Sequence, residues 1–169
     1  MWRDLVPVAG LEIVGELLLP LTWLAGSLLA AASGYYVIAL GLSFMFFLAG
    51  LRLVHNAFHS ALGLSGPLTS GVLWIMSLVM LGSMHAVRFN HLRHHKLMLG
   101  AGDVEGRSAE MPAWRALLFG PLFPLVLHTT ALRHGSAKLR ATVTAELLMS
   151  TAWMALVLAS GTAARFGTT

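Results

Sequence analysis

Residues 35–59 read YYVIALGLSFMFFLAGLRLVHNAFH. From Tyr35 to Val54 the only charge is Arg52, and His55 and His59 follow directly. An α-helix rises 1.5 Å per residue, so about 20 apolar residues cross a bilayer core of about 30 Å. The stretch therefore predicts a transmembrane helix that delivers two histidines to the membrane edge. Residues four apart share one helix face, so both imidazoles point the same way.

Composition agrees with a membrane protein. Of 169 residues, 57% are hydrophobic and 11% charged, and mean hydropathy is +0.76. Soluble domains carry about 25% charged residues. Cysteine is absent, which excludes disulfides, thiolate zinc, iron–sulfur clusters and thiol catalysis within this chain. The net charge of +4 is not gathered into a nucleic-acid-binding run, and no nucleic-acid partner is expected. The basic residues suit topology and lipid contact instead.

Two further apolar segments read as spans: Leu17–Ala32, extending back towards Leu11 with Pro20 inside, and Ala141–Ser160, where Glu146 is the only charge. Gly71–Met84 is uncharged but short, and it follows the breakers Gly63, Gly66 and Pro67. Such a length predicts a re-entrant or interfacial piece. Ala116–Leu132 is interrupted by Gly120, Pro121 and Pro124, and either spans with kinks or forms a half-immersed hairpin. Arg3, the first apolar run and Ala30-Ala31-Ala32 outline a cleavable leader, but Asp4, Glu12 and Glu16 make that region acidic and argue for retention. The expected architecture is all-α and integral to the membrane. It has about four transmembrane helices plus a short re-entrant or interfacial helix, in a single membrane domain covering residues 1–169.

The second histidine cluster is His91-Leu92-Arg93-His94-His95. Imidazole is the usual nitrogen ligand for iron, copper and zinc, and ionisable groups at a membrane edge are costly unless they serve a purpose. His55, His59, His91, His94 and His95 are therefore the candidate metal ligands. One centre for both clusters requires the intervening chain to return to the same membrane side. His85 is either a further ligand or structural, while His128 and His134, near Arg133, Lys138 and Arg140, suit lipid headgroups. The loop from His85 to Arg115 holds Arg88, Arg93, Lys96, Arg107 and Arg115 against Asp103, Glu105 and Glu110. By the positive-inside rule it is cytoplasmic, which puts the clusters on the cytoplasmic face of what is expected to be a bacterial inner membrane.

His55-x-x-x-His59 followed by His91-x-x-His94-His95 resembles the first two histidine boxes of the membrane fatty acid desaturases, a superfamily that includes hydroxylases and carotenoid ketolases. Asn90-His91-Leu92-Arg93-His94-His95-Lys96 and the later Asp103-Val104-Glu105-Gly106 are similar to that family too, and the similarity runs from about Leu40 onwards. The resemblance implies a non-haem di-iron centre, two iron ions held by histidines, that uses dioxygen to oxidise an unactivated C–H bond of a lipid acyl chain. It also favours a full span for Ala116–Leu132. Neutral imidazoles need acceptors behind them, and Asn56, Asn90, Asp103 and Glu105 are the candidates, with a solvated loop the alternative for the two acids. Arg88, Arg93 and Lys96 either steer an electron donor of the ferredoxin or cytochrome type or bind lipid headgroups.

The resemblance departs at one point. The family carries a third histidine box after its last membrane pair, and no histidine follows His134 here. The expectation is the N-terminal two-thirds of a desaturase-like fold, truncated before that box. The alternatives are a site completed by a second polypeptide or a non-catalytic membrane metal-binding or partner protein. A transporter fits less well, because its ionisable residues would be spread through the spans.

Overall fold

The computed structural model describes residues 10–166, so Arg3 and Asp4 of the leader argument lie outside the described residues. All regular structure among them is helical. The chain packs as two compact units, one up to Leu73 and one from Trp74.

In the first unit, α1 (Gly10–Ala32) and α2 (Tyr36–Phe58) form a hairpin. The turn between them uses Gly34 at φ 82°, a left-handed conformation that glycine adopts without steric cost. Both helices are long and apolar enough to cross a membrane, and Leu28, Leu29, Leu40 and Phe44 point outward. Helices in lipid associate through small residues and hydrogen bonds rather than hydrophobic burial. Accordingly, the Ser27 hydroxyl donates to the Ala39 carbonyl at 2.9 Å and lies 2.7 Å from the Ser43 hydroxyl. Further along the hairpin, the Arg52 guanidinium clasps Glu16 by two nitrogens, with Nε to Oε2 at 3.1 Å. Glu16→Ala would remove the carboxylate that Arg52 clasps and, because the Arg52 side chain is 59% exposed, should lower detergent melting stability by about 1 kcal/mol at most. The double variant Glu16→Ala/Arg52→Ala should recover part of that loss.

The chain passes to the second unit through α3 (Gly66–Val79). At about 21 Å, α3 is too short to cross a bilayer core. It is followed, after a four-residue break, by α4 (Met84–Leu97), and the two axes are bent by 114°. A sharply turned pair therefore stands where the sequence predicts a re-entrant piece.

Irregular backbone at membrane depth survives only where the protein satisfies its polar groups. This turn meets that condition with side chains. The Met84 N–H donates to Ser77 Oγ at 2.9 Å, and the Ser83 N–H to His128 Nε2 at 2.8 Å. Ser83 caps α4, its Oγ accepting from the Ala86 N–H at 3.0 Å. The Ser150 hydroxyl donates to the Ser77 carbonyl at 3.0 Å.

Next come α5 (Ala113–Phe119), a 3-10 turn (Gly120–Leu122) and α6 (Phe123–His134). Pro121 and Pro124 fall in the opening turns of the 3-10 segment and of α6, where a missing N–H does no harm. The breakers thus tighten the helix locally without folding it back, and Ala113–His134 as a whole is long and apolar enough to span. Last is α7 (Ala137–Phe166). Ala86, Ala131 and Val143 are fully buried where α4, α6 and α7 meet, with Phe89, Leu132, Leu139 and Leu147 around them. Among the described residues, four helical segments can cross a membrane: Gly10–Ala32, Tyr36–Phe58, Ala113–His134 and Ala137–Ser160. The fold is all-α and of membrane type.

Candidate metal centre

In the first unit, His55 sits in the last turn of α2 and His59 is its C-cap. Ser60 takes a left-handed φ of 57° and ends the helix. The two imidazoles remain together, with ring centroids 4.8 Å apart, as the four-residue spacing predicts. Both are exposed to whatever surrounds the unit.

In the second unit, α4 carries His91, His94 and His95. His91 Nδ1 lies 2.8 Å from Glu105 Oε1, and His94 Nδ1 lies 2.7 Å from Asp103 Oδ2. An ionised carboxylate can only accept, so each Nδ1 donates its N–H to the acid and each Nε2 is the outward nitrogen. A carboxylate behind a histidine in this way fixes the tautomer and raises the basicity of the outward nitrogen, as in metal-ligating histidines generally. His91 Nε2 and His95 Nε2 converge to 3.1 Å. That approach suits either one shared proton or one cation drawn between the two nitrogens.

The loop after α4 is folded around Asp103. Met98 and Leu99 both take left-handed φ, 46° and 66°, a conformation that non-glycine residues hold only when their surroundings enforce it. Asp103 supplies that enforcement. Its carboxylate accepts the Leu99 N–H and the Gly106 N–H, both at 3.0 Å. Burial acts to raise the pKa of Asp103, but hydrogen bonds from Gly106, His94 and Leu99 outweigh it and hold the carboxyl below its ordinary range.

Gly106 is required by space, since a Cβ there would stand 2.5 Å from Asp103 Oδ2 and from Leu99 Cδ2. Gly106→Ala should therefore displace Asp103 from His94 and weaken metal binding about tenfold in a Co(II) titration.

Glu105 provides a test of fit to a cation. Its Oε1 faces His91, while its buried Oε2 has no hydrogen-bond partner among the described residues. A carboxylate left so incompletely compensated favours positive charge nearby, which an ion at His91 Nε2 would supply. The donor set fits a borderline divalent metal such as iron, copper or zinc. Glu105→Ala should lower affinity by about 10- to 100-fold while leaving the ligand nitrogens in place.

Two sequence expectations are corrected by the fold. Asn90 does not back a histidine. Its amide donates to the carbonyls of Ala86 at 2.8 Å and Leu127 at 2.9 Å, tying α4 to α6. His128 does not face headgroups. It is 9% exposed, its Nδ1 donates to the Pro124 carbonyl at 2.5 Å and its Nε2 receives the Ser83 N–H. Of the open alternatives, Asp103 and Glu105 prove to be histidine partners, and Arg93 lies over the Phe89 ring at 5.4 Å.

One residue went unrecognised in the sequence. Glu146, the lone charge of the late apolar segment, is fully buried and meets Ser77, Ser83 and His85. Its solitary position in an apolar run was the available signal, since an acid inside a membrane segment marks function by default. Comparison with known proteins adds nothing to these residues: no family model, no curated protein and no solved structure matches the chain.

Proposed function

We propose that the protein is a desaturase-like membrane oxidoreductase. In this reading the two histidine clusters, His55 with His59 and His91 with His94 and His95, supply the ligands of a histidine-held iron centre that uses dioxygen to oxidise an unactivated C–H bond of a lipid acyl chain. The observation that carries the reading is the carboxylate behind His91 and behind His94, on the second of two histidine clusters with ligand spacing. Carboxylate-backed imidazoles next to lipid-facing helices suit an oxidant that must be kept from water.

Iron, once bound and reduced, supplies dioxygen activation, and the chain's residues do the rest. His91 and His94 are held in one tautomer, Asp103 fixes the loop beneath them, and the apolar helices bring the acyl chain alongside. Arg88, Arg93 and Lys96 offer a basic face to an acidic ferredoxin- or cytochrome-type electron donor, with the site on the cytoplasmic side of a bacterial inner membrane. A second reading, a non-catalytic membrane metal-binding protein, is favoured by the ligand count. Five clustered histidines are few for two irons.

The test is anaerobic loading with Fe(II) in detergent, followed by metal analysis and then by dioxygen uptake with a chemical reductant and an isotopically labelled acyl lipid. Iron approaching two per chain, with a desaturated or hydroxylated lipid product, supports the oxidoreductase. Bound iron without dioxygen uptake selects the metal-binding protein, and no bound iron in folded protein rejects both.

A further inference from the structure

The α3–α4 turn converges on one carboxylate from another helix. Glu146, on α7, is fully buried. Its Oε1 accepts from Ser77 Oγ at 2.7 Å and meets His85 Nδ1 at 2.6 Å, while its Oε2 accepts from Ser83 Oγ at 2.5 Å. Each of these partners fixes the opening of α4. Ser77 Oγ also receives the Met84 N–H, Ser83 is the N-cap, and His85 is the second residue of the helix. The carboxylate thus sits at the amino end of the helix that carries His91, His94 and His95. Helix dipoles are positive there, and the attraction is strong where water is excluded.

Nothing in the histidine chemistry described above uses this acid, yet a buried acid within a membrane segment is costly to keep. We propose that Glu146 is a positioning residue for the metal centre: through Ser77, Ser83 and His85 it sets the start of α4, and so the placement of the histidines along that helix. The inference rests on the metal-centre reading above. The carboxylate is matched to the task because its two oxygens accept three donors from three different residues at once. Glutamine has nearly the same shape, but its NH2 group would confront a donor.

The test is Co(II) titration of the whole chain in detergent, with the visible absorption bands of the bound ion as the readout. Wild type, Glu146→Gln, Glu146→Asp and Thr151→Ala are compared, with circular dichroism and gel filtration confirming fold. Glu146→Gln is expected to stay helical and monodisperse but to bind about tenfold more weakly with shifted bands. Aspartate should restore part of the affinity, because it returns a carboxyl group with two oxygens to the same partners. Thr151→Ala, further along α7 with its exposed hydroxyl donating to the Leu147 carbonyl of the same helix, should behave as wild type.

Wild-type affinity and unchanged bands in folded Glu146→Gln would overturn the proposal. If Glu146→Gln does not fold, Ser77→Ala, which keeps the carboxylate but loses one tie to the turn, is read by the same two criteria. The two levels fail differently. Wild type without Co(II) binding overturns the metal centre, whereas binding lost in His91→Ala but untouched in Glu146→Gln overturns the positioning role alone.

Discussion

Glu146→Ala is expected to destabilise the protein by about 3 kcal/mol or more, the largest loss from any single substitution away from the histidines. Truncation strands three buried partners at once: the Ser77 and Ser83 hydroxyls and the His85 ring. Glu146 is fully buried, and each polar group stranded there carries its own desolvation penalty. The measurement is thermal unfolding in detergent followed by helical circular dichroism. A melting point within a few degrees of wild type would show that the turn finds other partners.

The second large effect is on metal affinity. His91→Ala should lower Fe(II) or Co(II) affinity by more than about 100-fold, beyond the range of losses from removing a carboxylate behind a ligand. His91 is the most enclosed of the clustered histidines on α4. Its Nδ1 is committed to Glu105, and its Nε2 meets that of His95. Its removal deletes a nitrogen and leaves Glu105 without its partner. His94→Ala should be milder, because the His94 side chain is 30% exposed and water can take its place. Equal affinity losses in the two variants would show that the enclosure of His91 does not matter, and no loss in either would remove α4 from the metal site.

The sequence by itself determined the fold class. Spans are legible because the bilayer requires length and apolarity, which composition along the chain records directly. Residues 35–59 announced both a crossing helix and the pair of imidazoles at its end, and α2 delivers His55 and His59 side by side. Helical spacing likewise marked His91, His94 and His95 as a cluster, since neighbours on one helix are set by the repeat.

What the sequence left open was every partnership between distant elements. Asp103 and Glu105 read equally well as a solvated loop. They became histidine partners only because the chain after α4 turns through two left-handed residues and brings them back. Asn90 lies within the second cluster and looked like support for it, yet the packing of α6 draws its amide to the Leu127 carbonyl. His128 looked superficial beside Arg133, but the turn between α3 and α4 needed an acceptor for the Ser83 N–H and took it. Glu146 lies more than sixty residues from its partners, a separation over which no local periodicity carries information. Burial and charge pairing of this kind depend on which helices meet, and that is settled by the tertiary structure, where each buried polar group must find its complement.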